Sequence, residues 1–336
     1  MLQTFLATLQ PLLVLFLCIA VGFIAHKGKV LPENADKVMA KLELWIFCPA
    51  LSLATQIRYC TIDTIATNAT NMIFAIFCVA SSLAIAIPLS KLFVRENCYE
   101  RGVYQYALAF ANLGYMGDPL VQALFGDAVL ALYKLFTLPL TVVIYTWGIN
   151  VLTPKEYKRG NPIKSIFNFP MICMLIGMAI GLCGLGGVGG FMDSKLPFFM
   201  NTLDTLKACM GPVAMLLVGF KVASYDVGAM LKNKKIYIAT LLRLVVLPAI
   251  IVAFVFGVKE LGNLIFNLDV NNNVLFLLFF AVATPLGMNT VVFPEAYGGD
   301  PKTGAAMAMI SHTLCVITIP LTFALMSAIF GVPIWA

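Results

Sequence analysis

Residues 111–119 read Ala-Asn-Leu-Gly-Tyr-Met-Gly-Asp-Pro, and residues 283–290 read Ala-Thr-Pro-Leu-Gly-Met-Asn-Thr. Both stretches place glycine, proline and asparagine inside long apolar segments. Glycine weakens a helix, and proline removes one of its backbone hydrogen bonds. We therefore predict that two membrane-spanning helices break here and leave unpaired backbone groups that face protein or water rather than lipid.

The rest of the composition is also typical of a membrane protein. Of the 336 residues, 61% are hydrophobic and 11% are charged, and the mean hydropathy is +0.93. Soluble domains average about 25% charged residues. The net charge of +6 does not indicate nucleic-acid binding, because the basic residues lie in short clusters between apolar runs. The nine cysteines include no CxxC pair, so we predict neither a disulfide framework nor a metal site.

Apolar segments of about 20 residues are long enough to span a bilayer. By this measure the sequence predicts an all-α membrane protein of ten transmembrane helices. The predicted spans are residues 5–25, 38–57, 71–94, 102–125, 128–150, 168–188, 198–220, 235–258, 273–296 and 303–330.

Basic residues concentrate in alternate linkers and predict the orientation. The even-numbered linkers carry only Arg58, Lys195 and Lys259. The odd-numbered linkers carry the larger set Lys27, Lys29, Lys37, Lys91, Arg95, Arg101, Lys155, Lys158, Arg159, Lys164, Lys221, Lys232, Lys234, Lys235 and Lys302. By the positive-inside rule the odd linkers are cytoplasmic and both termini lie outside. We predict a multi-pass protein of a plasma membrane or bacterial inner membrane.

Short sequence motifs and prolines of the first half recur in the same order in the second half, which predicts a duplication. The matched pairs are 48–51 with 211–214, Pro88 with Pro248, 113–114 with 286–287, 126–127 with 299–300, and 137–141 with 318–322. The first repeat is 1–150, a short cytoplasmic linker is 151–167, and the second repeat is 168–336. Five spans per copy make the repeats inverted, which is typical of secondary transporters.

The interrupted segments are also the candidate binding site. The amino end of a half-helix presents unpaired N–H groups and a positive partial charge, which suit a carboxylate. Gly114, Pro285, Gly287 and Thr290 belong to this candidate site, with the side-chain amides of Asn112 and Asn289 as further donors. The alternative is that both interruptions are kinks used only for close packing.

Two of these stretches resemble motifs of a known family. Residues 112–126, with Met116-Gly117-Asp118-Pro119-Leu120, resemble the fourth-helix motif of the auxin efflux carrier family. Residues 285–301, ending Tyr297-Gly298-Gly299-Asp300-Pro301, resemble its ninth-helix motif. The short linker 151–167 resembles the bacterial branch, which includes permeases for malate and similar acids.

The resemblance implies a scaffold of spans one, two, six and seven, and a mobile transport domain of spans three to five and eight to ten that moves in an elevator manner. Spans four and nine would cross at the middle, beside the substrate. Asn112, Gly117, Pro119 and Asn289 are the positions that match the family site. The resemblance further implies a homodimer that carries a small organic anion by alternating access, without a cofactor. Coupling to H⁺ or Na⁺ stays open.

Several intramembrane polar residues allow two interpretations. Asp118 departs from the family pattern, and it is either the N-cap of a half-helix that continues with Pro119 or a proton or cation site. His312 is either a packing residue or a proton relay. Asp204 and Lys207 form either a structural i, i+3 pair or a feature that attracts anions. Lys134 and Arg243 are predicted to extend to the membrane surface.

Other function classes find less support in the sequence. An intramembrane enzyme would display HExxH, GxSxG or an acidic pair at DxxxD spacing, and none of these is present. We therefore predict that the protein is not an enzyme. A channel could also use broken helices. Among transporters, the alternatives are a sodium-coupled organic-anion symporter of the bile-acid type and a cation/proton antiporter, which would need clustered acids at the crossing.

Overall fold

The computed structural model describes residues 2–96, 98–154, 156, 162–224, 232–267, 270 and 272–330. Within these residues the regular structure is helical apart from one isolated β-bridge, so the all-α prediction is confirmed. We number the helices α1 (Leu2–Lys27), α2 (Ala35–Tyr59), α3 (Ile62–Leu89), α4 (Tyr99–Ala109), α5 (Leu113–Val151), α6 (Phe169–Leu182), α7 (Pro197–Ser224), α8 (Lys234–Ile265), α9 (Asn273–Ala283), α10 (Asn289–Tyr297) and α11 (Lys302–Phe330). The five-residue helices Pro162–Ile166 and Phe191–Lys195 are left unnumbered.

In the described part of the chain, seven helices are long and apolar enough to cross a membrane: α1, α2, α3, α5, α7, α8 and α11. Helices α6 and α9 are shorter and apolar. The predicted sixth span, 168–188, is too long, because α6 ends at Leu182. Gly184, Gly187 and Gly189 follow it with positive φ angles, a conformation that glycine adopts readily and that ends a helix.

The predicted spans four and nine are each divided in two. Helix α4 ends at Ala109 and the chain becomes helical again at Leu113, whereas α9 ends at Ala283 and α10 begins at Asn289. Helices α4 and α9 have 11 residues each. Such a helix is about 16 Å long, roughly half of the hydrocarbon core. Helix α5 changes direction at Gly126, whose φ is 76°, between predicted spans four and five.

Helix α9 lies at the centre of the molecule. Every residue from Val274 to Ala283 is buried. Phe276 and Phe280 pack edge-on against Phe125 of α5, with ring centroids 4.3 and 5.5 Å apart. Phe323 of α11 closes this aromatic cluster, 5.2 Å from Phe280. The protein around α9 thus replaces lipid as its apolar environment, and the break that follows it is enclosed.

Helices α1 and α7 approach each other closely through glycine. A Cβ added to Gly219 of α7 would overlap the Ile19 carbonyl oxygen of α1, and one added to Gly22 would overlap the Leu216 carbonyl oxygen. Small residues let helix backbones pack closely in membranes, where van der Waals contact supplies much of the association energy.

We therefore expect Gly219→Ala to destabilise the protein by about 1–3 kcal/mol, the usual cost of overpacking. Gly257→Ala in α8 is the matched control, because a Cβ there would meet no atom within 4 Å. The measurement is the thermal unfolding midpoint of both variants in detergent. Equal midpoints for the two variants would show that the α1–α7 contact does not depend on glycine.

Candidate functional site

The two helix breaks lie side by side and satisfy each other's backbone groups. The backbone N–H of Asn112 donates to the Pro285 carbonyl at 2.8 Å, and Ala111 and Leu286 form the isolated antiparallel bridge. The Leu286 N–H donates to the Ser311 hydroxyl of α11 at 3.1 Å. Backbone groups that the breaks release are thereby paired inside protein, as an apolar surrounding requires.

The amino ends of α5 and α10 begin beside this contact. A π turn opens α5, and the Gly117 N–H donates to the Asn112 carbonyl at 2.9 Å. The first N–H groups of a helix have no intrahelical acceptor and carry a positive partial charge. A Cβ added to Gly114 would meet no atom within 4 Å, so the α5 backbone faces open space there. An anionic group can reach the N–H groups at the start of α5, whereas the Thr290, Val291 and Val292 N–H groups of α10 already donate to the Gly287 and Met288 carbonyls.

A buried histidine orients the Asn112 side chain. The His312 Nδ1 lies 2.7 Å from the Ala308 carbonyl, and its Nε2 lies 3.1 Å from the Asn112 amide nitrogen. Because a carbonyl oxygen only accepts, Nδ1 carries the proton and Nε2 accepts from Asn112. His312 therefore holds Asn112 in one orientation, and the second amide N–H of Asn112 is available to a ligand.

A buried tyrosine orients the Asn289 side chain in a comparable way. The Asn289 amide nitrogen donates to the Tyr106 hydroxyl at 3.0 Å. Tyr106 is fully buried in α4, on the other broken helix. Each asparagine amide thus has one fixed partner and one remaining N–H group.

A cavity of about 150 Å³ opens beside both asparagines. One water molecule needs roughly 10–15 Å³ of such volume, so the cavity has room for a small organic ligand. Its apolar wall includes Leu138, Ile144, Met171, Met174 and Met210. Its polar lining comprises Glu43, Ser52, Asn112, Tyr115, Asp118, Lys134, Thr137, Thr141, Tyr145, Asn168 and Asn289.

A family model described as membrane transport protein, that of the auxin efflux carriers, matches residues 7–161 and 157–323. The chain belongs to the auxin efflux carrier family. This membership confirms the resemblance carried by the two interrupted segments, and it identifies a multi-pass membrane transport protein. No curated protein matches the chain.

The eight residues predicted to bind substrate in this member of the auxin efflux carrier family divide into those that line the cavity and those that do not. Asn112, Gly114, Gly287 and Asn289 line the cavity. The other four lie at the two helix breaks or next to them. A Cβ at Gly117 would overlap the Tyr133 hydroxyl, and Pro119 packs against Gly211 of α7. Pro285 supplies the carbonyl that Asn112 uses, and the Thr290 hydroxyl donates to the Gly287 carbonyl at 2.9 Å.

The structure corrects two predictions about Asp118 and Lys134. The α5 helix begins at Leu113, so Asp118 lies in its second turn and is not an N-cap. Lys134 does not extend to the membrane surface: its ammonium lies 2.6 Å from the Asp118 carboxylate, with side chains only 10% and 4% exposed. The attraction of the Lys134 ammonium to the carboxylate 16 residues earlier outweighs the solvation that the ammonium would gain at the membrane surface. Asp118 is therefore a paired acid.

The prediction for Arg243 was also wrong. Arg243 is buried in α8, and its guanidinium donates to the Val282 carbonyl at 2.5 Å. Val282 lies in the last turn of α9, where unpaired carbonyls carry a negative partial charge. A positive charge is favoured at this end, and it holds the carboxyl end of the central helix.

Asp204 and Lys207 form the predicted ion pair, at 2.9 Å, within a larger cluster. Arg58 of α2 binds Asp204 through two hydrogen bonds of 2.7 and 2.8 Å and also contacts Asp193. Lys207 reaches Asp127 of α5 at 2.5 Å. The cluster does not line the cavity; it connects α2 and α7 with the bend in α5.

The sequence interpretation missed Glu43. It lies within α2, between Leu42 and Leu44 in an apolar run, and it is fully buried at the cavity. An acid inside a predicted span is itself a signal of function. The cavity tyrosines Tyr115 and Tyr145 were also missed, because nothing in their local sequence distinguishes them from packing aromatics.

Proposed function

We propose that this protein is a secondary carrier of small organic anions, such as malate and related carboxylates. The observation that carries the proposal is the pair of helix amino ends that meet beside Asn112 and Asn289 at a cavity of about 150 Å³. A carboxylate that leaves water needs replacement hydrogen bonds. The N–H groups at the start of α5, together with the two side-chain amides, supply them without a full positive charge that would retain the anion.

We further propose ten membrane spans arranged as two inverted repeats, with α4–α5 and α9–α10 as the crossed helices. In this arrangement α1, α2, α6 and α7 form a scaffold, and α3–α5 with α8–α11 form a transport domain that moves as an elevator. Contacts such as Pro119 with Gly211, and Asp127 with Lys207, would break and re-form during alternating access. Family resemblance also suggests a homodimer that assembles through the scaffold.

We propose that both termini lie outside and that the 151–167 linker is cytoplasmic. The basic clusters that support this orientation include Lys155, Lys158 and Arg159, which lie outside the described residues, as does the carboxyl-terminal residue 336. The short linker supports the bacterial malate-permease branch of the family. We propose transport rather than catalysis, since the cavity residues serve binding and no catalytic motif accompanies them.

One observation bears on the cation-coupled alternatives. A cation/proton antiporter needs an acid at the crossing that is free to exchange ions, and Asp118 is held by Lys134 at 2.6 Å. A sodium-coupled symporter of the bile-acid type would also bind an organic anion. A sodium gradient therefore belongs in the test.

Purified protein in liposomes should take up at least one acid of a labelled panel, namely malate, malonate, lactate and indole-3-acetate, with saturable kinetics and competition by the unlabelled acid. Saturation is expected because each transport cycle carries only the substrate that is bound in the cavity. Protein-free liposomes give the background, and the assay is run with and without pH and sodium gradients. Non-saturating flux with large unitary currents would identify a channel instead.

A further inference from the structure

Glu43 is a buried acid for which the binding site described above has no role. It stands at the start of a π turn within α2, is 0% exposed, and lines the cavity. Within the described part of the chain, neither of its carboxylate oxygens has a hydrogen-bond partner. An ionised carboxylate that is buried without partners is strongly disfavoured. Glu43 is therefore stable in this place when it carries a proton or a cation.

The other charged groups at the cavity leave Glu43 without a counter-charge. Helix α5 contributes Asp118 and Lys134, which neutralise each other at 2.6 Å. The further titratable lining groups are Cys48, Tyr115 and Tyr145. Thiols and phenols are neutral near pH 7. The lining residues from α6, α7 and the α9–α10 break are not titratable.

The net charge of the cavity lining depends on whether Glu43 is protonated, and the binding of an anionic substrate depends on that net charge. With Glu43 ionised, the lining carries one net negative charge, and a substrate carboxylate would meet a like charge in a medium of low dielectric constant. With Glu43 protonated, the lining is neutral and accepts the carboxylate. An occupied, protonated cavity and an empty, deprotonated cavity then carry the same charge when the substrate is a monoanion.

We propose that Glu43 is the proton-binding residue of this carrier: one proton binds to Glu43 from the side on which each carboxylate enters and leaves to the side on which that carboxylate is released, while Glu43 itself stays on the scaffold helix α2. The inference rests on the proposed carrier function. A proton requires one carboxylate oxygen, whereas Na⁺ requires several oxygen ligands. Asp118, the second acid of the lining, is already paired with Lys134 and does not supply Na⁺ with a further carboxylate ligand. Glu43 alone therefore favours a proton over Na⁺.

Glu43→Gln tests the proposal, because glutamine keeps the shape and the neutral charge of the protonated acid. The assay uses liposomes with the interior one pH unit above the exterior, the membrane potential clamped with potassium and valinomycin, and the panel acid that gives the fastest saturable uptake. One proton per anion supports about tenfold accumulation of that acid by the wild type. The variant should exchange labelled for unlabelled acid at near the wild-type rate but show no accumulation. Glu33→Gln, at an exposed position before α2, should accumulate as the wild type does.

A second measurement does not depend on the variant. Binding of the acid to wild-type protein in weakly buffered detergent should take up about one proton per site, read with a pH indicator. No proton uptake, retained accumulation by Glu43→Gln, or wild-type accumulation driven by sodium would each overturn the assignment. Loss of exchange in a stably folded Glu43→Gln protein would also overturn it. Absence of saturable exchange in the wild type would instead overturn the carrier function itself.

Discussion

Lys134→Met is expected to destabilise the protein by about 3–5 kcal/mol, because it leaves the Asp118 carboxylate buried without its partner. Both side chains are almost fully enclosed, and the ammonium lies 2.6 Å from the carboxylate. Methionine approximates the length and apolar stem of lysine, so the loss measures the unpaired charge rather than a void. The thermal unfolding midpoint and the yield of folded protein in detergent report the effect.

The double variant Asp118→Asn with Lys134→Met separates the two contributions. It removes both charges, and replacement of a buried ion pair by neutral groups is often close to neutral for stability. We expect the double variant to recover most of the loss. Lys37→Met at an exposed position gives the background, within about 0.5 kcal/mol of the wild type. A double variant as unstable as Lys134→Met would contradict the ion-pair account.

The helix breaks could be predicted from the sequence because their causes are local. The glycines and prolines at 114–119 and 285–287 act on the backbone that contains them, whatever surrounds it. Asn112 and Asn289 could be selected for the same reason, since an amide beside a break is visible in a single stretch. The end of α6 was misplaced because Gly184, Gly187 and Gly189 stand within an apolar run that hydropathy does not divide.

Pairings between distant residues could not be predicted. Lys134 and Arg243 each stand in an apolar helix, and their sequence gives no sign that the Asp118 carboxylate or the Val282 carbonyl lies within reach. Likewise, the hydrogen bond of Asn112 to His312 joins residues 200 positions apart. Long-range contacts decide whether a buried polar group is satisfied, and that decides whether it stabilises the fold or is available to a ligand.

The lining of the cavity therefore combines two kinds of polar group. Asp118 and Lys134 satisfy each other and connect two turns of α5 at the cavity wall. Asn112 and Asn289 are oriented from behind, by His312 and Tyr106, and keep part of their hydrogen-bonding capacity. This division assigns stability to the first pair and affinity to the second, so variants of the two pairs should differ in which property they change.

Asn112→Ala and Asn289→Ala should each weaken substrate binding about ten- to hundredfold. A hydrogen bond to a charged group contributes roughly 1.5–3 kcal/mol, and each 1.4 kcal/mol is a factor of ten in Kd. Each amide has a second N–H beyond the one used by His312 or Tyr106, and both side chains line the cavity. The Kd of the fastest panel acid, from equilibrium binding to purified protein, is the measurement.

The control for these variants is Asn150→Ala, which removes a half-buried amide that donates to the Thr146 carbonyl at 2.8 Å, away from the cavity lining. Its Kd should equal that of the wild type. Thermal unfolding midpoints of both cavity variants should stay well above that of Lys134→Met, because alanine leaves no unpaired charge. Since the asparagines belong to different broken helices, loss of either should weaken the same carboxylate. Unchanged Kd values in both cavity variants would show that the anion binds elsewhere.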